Sequence, residues 1–140
     1  MEFKYKNDYN ALSEKCPPKH FTEQEINPAF RWLFNEHDPR NFIPQFHRKP
    51  KRFINMDDKQ KCTAMGLSFF KDLNGAVKRH NQLSDVIPNI GKAIGTLTSK
   101  GYILEKDGIS GDFGELSHFT HHAYDTDVFK TRFEVIIQDE

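Results

Sequence analysis

Phe129-Lys130-Thr131-Arg132-Phe133-Glu134-Val135-Ile136-Ile137 decides the fold class of this chain. Phe129, Thr131, Phe133, Val135 and Ile137 fall at alternate positions, with Lys130, Arg132 and Glu134 between them. One apolar and one charged face at a period of two is the pattern of a strand buried on one side. Such half-buried alternation belongs to antiparallel sheet. Upstream, Ser117-His118-Phe119-Thr120-His121-His122 lies within a second expected strand, residues 116–124. There the same period puts His118 and His122 on one face and His121 on the other.

Further out, Gly101-Tyr102-Ile103-Leu104-Glu105 reads as a strand, and Lys106-Asp107-Gly108-Ile109 as a hairpin turn. Met65-Gly66-Leu67-Ser68-Phe69-Phe70 is a short apolar run that fits a buried strand. Asp72 caps a helix over residues 73–83, where Leu73, Ala76, Val77 and His80 recur at helical spacing. Ala29-Phe30-Arg31-Trp32-Leu33-Phe34 fits either period. Thr22-Glu23-Gln24-Glu25 has capping-box form, and Asn27-Pro28 offers a second helix start. Residues 35–61 read as one long loop, because Asp38-Pro39, Ile43-Pro44 and Lys49-Pro50 each deny helical geometry to the residue before proline. The expectation is an α+β domain over residues 21–140, behind a polar N-terminal arm, residues 1–20. It has a mostly antiparallel C-terminal sheet, one clear helix at about 73–83 and a long basic loop.

The chain has 140 residues, enough for one domain that buries roughly 68% of its unfolded surface. Hydrophobic residues make up 36%, and 13 of them are Phe, so aromatic rings must supply much of the core. No apolar run approaches the length of a bilayer span, which excludes a transmembrane helix as the sequence reads. Met1-Glu2-Phe3-Lys4-Tyr5 lacks an apolar signal core, so a cytoplasmic protein is expected. Cys16 and Cys62 make no zinc-type spacing, and in a reducing compartment they are expected as free thiols. Net charge is zero but uneven: residues 105–140 carry three Lys/Arg against nine Asp/Glu, and the rest is mildly basic.

Three histidines within five residues invite a functional reading, since imidazole binds metals and moves protons near neutrality. On a strand, however, His118 and His122 stand about 13 Å apart, too far to share one ion. No metal and no cofactor are therefore expected. His118, His122 and Trp32 are instead candidates for lining a polar ligand cleft. His47-Arg48-Lys49-Pro50-Lys51-Arg52 is the densest positive charge, and Arg48, Lys49, Lys51 and Arg52 are the candidates for polyanion contact. Residues 45–53 are expected to be exposed and mobile. No nucleophile elbow, phosphate loop or dinucleotide fingerprint occurs.

An arginine in Phe30-Arg31-Trp32, a serine in Leu67-Ser68-Phe69 and a glutamate in the final strands follow one another along the chain. That order resembles ADP-ribosyltransferase-like proteins. The resemblance implies that Arg31 contacts the phosphates or ribose of NAD. Ser68 would shape the nicotinamide pocket, and Glu134 (or Glu115) would polarise the ribose. The family's serine strand reads Ser-Thr-Ser where this chain has Leu-Ser-Phe. The string from Cys62 through Gly66-Leu67-Ser68-Phe69-Phe70 to Ser117-His118 also looks like small uncharacterised bacterial proteins, which implies a bacterial origin.

The leading expectation is a small interaction or ligand-binding module without catalysis of its own, whose partner is a protein or a small polar ligand. The alternatives are an ADP-ribosyltransferase-like enzyme using Arg31, Ser68 and Glu134, and a nucleic-acid partner working through residues 47–52. Convergence of Arg31, Ser68, His118 and one glutamate on a single cleft discriminates the enzyme from the others.

Overall fold

A computed structural model describes residues 2–138, with side chains described through Ile136. The fold is α+β, built on a six-stranded antiparallel sheet. The strands are β1 (Ile26–Leu33), β2 (Leu67–Phe70), β3 (Leu97–Ile103), β4 (Gly108–Gly111), β5 (His118–Ala123) and β6 (Glu134–Gln138). Their order across the sheet is β4-β5-β2-β1-β3-β6. The helices are α1 (Lys6–Asn10), α2 (Gln45–Arg48), α3 (Asp58–Met65), α4 (Leu73–Val86) and α5 (Gly91–Ile94). No helix among the described residues is long and apolar enough to cross a membrane.

Register fixes which side chains share a face. Phe69 pairs with Phe119 and Leu67 with His121, so these four lie on one face; Phe70 pairs with His118 on the other. The first face packs under Phe42, Phe129 and Phe133, which with Leu67, Phe69, Phe119 and Ile103 make the main core. The second face packs under α4, where Ala76 and Leu73 meet Phe30, Phe70 and Trp32. Fully burying each ring contributes about 1.5–3 kcal/mol, so the phenylalanines offset the low apolar content.

Several local expectations change. The ambiguous run after Ala29 is strand, and Asn27-Pro28 lies inside β1 rather than starting a helix. Pro28 falls where the β1–β3 register shifts between Ile26 and Ala29, the kind of irregularity that tolerates a residue without an N–H. No helix forms at Thr22–Glu25; Thr22 instead bridges to Ser110. The final strand starts at Glu134, because Thr126–Phe129 turns as a 3-10 helix capped by the Asp125 carboxylate. Residues 35–61 are not one loop. They hold α2, two short 3-10 turns and the start of α3, whose capping box pairs Asp57 with Gln60 in both directions.

The cysteines differ most from expectation. Cys16 and Cys62 form a disulfide that ties the N-terminal arm to α3. A separation of 46 residues gave no local sign of it; only the fold brings their Cα atoms to 5.7 Å. The arm also packs inward, with Tyr9 buried against His122 and Tyr5 stacked on His47.

Candidate anion-binding groove

β1 and β2 pair at one position, Phe30 with Phe70. Continued register would set Trp32 opposite Ser68, but the ladder stops before it. The sheet splits between the C-terminal half of β1 and the N-terminal half of β2. A cavity of about 430 Å³ opens there, roofed by residues of α2 and α3. Its size is that of an ordinary small-ligand site.

Arg31 stands in this split. Its Nε donates to the Asn41 carbonyl at 2.9 Å, and one terminal nitrogen donates to the Ser68 carbonyl at 2.8 Å. The guanidinium lies 5.6 Å from the Phe42 ring centre and 5.5 Å from that of Phe69. Asn41 is itself held, accepting from the Phe34 N–H at 2.8 Å and donating to the Asn35 carbonyl at 2.7 Å. These bonds engage two of the five guanidinium donors among the described residues. Among the described residues no carboxylate pairs with Arg31, and no Asp or Glu lines the cavity. Burial, with Arg48 beside it, lowers the Arg31 pKa to about 9. Arg48 and Lys59 line the same cavity. Arg48 donates to the Ile43 carbonyl at 3.1 Å and lies over Phe34, and burial holds its pKa down as well. Guanidinium groups without a carboxylate partner among the described residues, set in a concave wall, attract anions.

Trp32, Gln45, Ser68 and Ile94 also line a second cavity, of about 840 Å³, so the two adjoin. His118 and Glu115 belong to this second part. Trp32 is fixed by donating its indole N–H to the Ala76 carbonyl at 3.1 Å. His118 packs edge-on against Phe70, and burial lowers its pKa.

The turn that presents Glu115 is held tightly. Leu116 and Ser117 have φ of 56° and 63°, in the left-handed region disfavoured for residues with a Cβ. The Ser117 carbonyl accepts from Lys71 N–H at 3.0 Å, and its hydroxyl from Asp72 N–H at 3.0 Å. Gly75 on α4 permits the approach, since a Cβ there would sit 1.9 Å from the Leu116 carbonyl oxygen. Strain of this kind persists where the surroundings over-determine it, often beside functional sites.

Arg31, Ser68, Trp32 and His118 therefore meet along one groove, and Arg48 joins them. Glu134 does not: it lies on β6, beyond β3, and lines a separate cavity with Phe42 and Phe133. Glu115, just ahead of β5, is the glutamate the groove contains. Lys59 and Gln60 fall in the stretch 35–61 expected as loop, which covers the first half of α3, and Thr63 was not singled out; the Asp57–Gln60 capping box was the available signal. The basic run divides. Lys49, Lys51 and Arg52 are exposed, but Arg48 turns into the groove and Phe53 is buried, so residues 45–53 are not a free loop.

His118 and His122 share a face, and His121 occupies the opposite one, as strand alternation requires. Yet His118 and His122 serve different cavities, for His122 is buried beside Tyr9. His121 accepts from or donates to the Ser110 hydroxyl at 2.7 Å. Burial lowers the pKa of His121 to about 4 and of His122 to about 3. Ser110 and His121 are both about 1% exposed, which seals this pair from any substrate. Comparison with protein-family models, curated proteins and solved structures finds no match to this chain.

Proposed function

We propose that the chain is a nucleotide-binding enzyme of ADP-ribosyltransferase type, acting on NAD or a related dinucleotide. One observation carries the reading. Arg31, Ser68 and Glu115 come from β1, β2 and the turn entering β5, three strands adjacent in the sheet, and they line one continuous groove. Their order along the chain is the arginine–serine–glutamate order of the resemblance, and the shared groove supports the reading.

The chemistry follows the charge. Arg31, with Arg48 and Lys59, receives the diphosphate at the end without carboxylates. Trp32 offers a ring face at the junction of the two cavities for a flat heterocycle. Glu115 and His118 stand at the far end, where a carboxylate can accept from a ribose hydroxyl and stabilise positive charge developing at the anomeric carbon. Ser68 sits between, its side chain exposed to the groove.

Incubation of the protein with NAD, followed by measurement of released nicotinamide and of any transferred ADP-ribose, tests this reading. Glu115→Gln is expected to keep NAD affinity and lose turnover, whereas Arg31→Met loses affinity. Binding of NAD without turnover in the wild type would instead favour a ligand-binding module without catalysis. Absence of both would remove the nucleotide reading. An oxidising compartment is the one in which a Cys16–Cys62 disulfide persists; the cytoplasmic siting expected from sequence would keep both as thiols.

A further inference from the structure

We propose that reduction of the Cys16–Cys62 disulfide creates a second, independent site, in which both thiolates and Nε2 of His122 bind one thiophilic divalent ion of the Zn²⁺ class. The two sulfurs and a ring nitrogen of His122 lie within 4.8 Å of one another. Ligand atoms around tetrahedral zinc stand about 3.5–3.8 Å apart, given bonds of about 2.0–2.3 Å. Small side-chain rotations cover the difference.

The hydrogen bonding of His122 sets its tautomer. Its Nδ1 is 2.8 Å from the Tyr9 hydroxyl, and that hydroxyl donates onward to the Met65 carbonyl at 3.4 Å. With the single Tyr9 proton assigned to the Met65 carbonyl, Nδ1 carries the hydrogen and donates to the Tyr9 oxygen. Nε2 is left with a lone pair. It is buried and has no hydrogen-bond partner among the described residues, and His122 is 1% exposed. A buried acceptor without a donor is destabilising; a cation in front of it removes that cost. A histidine ligand whose other ring N–H is engaged is the usual arrangement at metal sites. The wall beside it opens into a cavity of about 450 Å³ lined also by His20 and Asp112, which gives an ion a way in and a fourth position for water.

The chemistry balances with an external reductant. A phosphine attacks one sulfur and water completes the step: the S–S bond breaks, two thiols form, and the phosphine leaves as its oxide. Zn²⁺ then displaces both thiol protons. A purely structural disulfide, inert to metals after reduction, is the competing outcome.

The test is anaerobic titration of the phosphine-reduced protein with Co²⁺, displaced by Zn²⁺, with metal content measured after gel filtration and folding followed by circular dichroism. We expect one equivalent per chain, with thiolate-to-cobalt charge-transfer absorption, and none in the oxidised protein. Cys62→Ser abolishes the band. His122→Gln weakens binding at least tenfold. Tyr9→Phe, which keeps every ligand, weakens it about 10–100-fold while the fold persists. Should His122→Gln fail to fold, Tyr9→Phe decides. Folded, reduced wild type that takes up no stoichiometric Co²⁺ or Zn²⁺ overturns the proposal. So does affinity unchanged in both His122→Gln and Tyr9→Phe, and so does a reduced chain that unfolds and is not refolded by Zn²⁺.

Discussion

Arg31 and Arg132 are two largely enclosed arginines with opposite solutions to the same physical problem. Arg132 is paired with Asp107, whose side chain is 2% exposed, and Asp107 also accepts from the Leu104 N–H at 2.7 Å. Charge cancels charge, and the pair fastens the turn before β6 to the hairpin between β3 and β4. Arg31 has carbonyl oxygens and ring faces, but no carboxylate among the described residues. Its charge is hydrogen-bonded yet uncancelled. A cation left so in a concave wall is poorly explained by stability and well explained by a ligand anion.

The largest effect expected of a single substitution attacks the paired arginine. Asp107→Ala should cost about 3–5 kcal/mol, because it strands a buried guanidinium. Urea denaturation measures it. A loss below 1 kcal/mol would show that Arg132 escapes to solvent, and the contrast between the two arginines would collapse.

How much of this was legible follows from which signals are local. The β5 alternation and the α4 stripe were legible because their periods act over a few residues, although the Asp72 side chain makes no capping hydrogen bond. The succession of Arg31, Ser68 and a glutamate was legible as order along the chain; the pairing of β1 with β2 was not. The split between β1 and β2 was not, since it depends on where a ladder stops. Nor was the choice of glutamate: Glu134 sits in the better sequence pattern, but β3 and the whole width of β1 separate it from Ser68. The disulfide is non-local in the same sense. The expectation of free thiols rested on an inferred compartment rather than on geometry.

The next effect concerns the sheet's other end, where His121 and His122 are buried neutral. Their folded pKa values, about 4 and about 3, lie below the ordinary 6.5. Between those limits the unfolded chain binds more protons, so stability falls as pH falls. The slope is about 1.4 kcal/mol per pH unit for each histidine. Denaturation midpoints from pH 7 to pH 4.5 should decline accordingly, and His121→Phe should lessen the slope. A flat profile would mean that these imidazoles are not held neutral.

A smaller effect sharpens the contrast directly. Arg31→Met should change stability by no more than about 1 kcal/mol, since an unpaired buried cation gives way to an apolar chain of similar length. Thermal denaturation of the variant checks this; a loss comparable to that of Asp107→Ala would make Arg31 a structural residue. Gly75→Ala should lower stability as well as shift the groove's far end, because its Cβ must displace the Leu116 backbone; thermal denaturation beside ADP titration reads both effects.

The central claim is that the split sheet holds an anion on Arg31. Calorimetric titration with ADP, wild type against Arg31→Met, tests it most directly. Loss of a charged hydrogen-bonding group is worth about 1.5–3 kcal/mol, so affinity should fall about 10–100-fold in the folded variant. Equal ADP affinity in the wild type and a folded Arg31→Met, or no ADP binding by the wild type at low salt, would contradict the account.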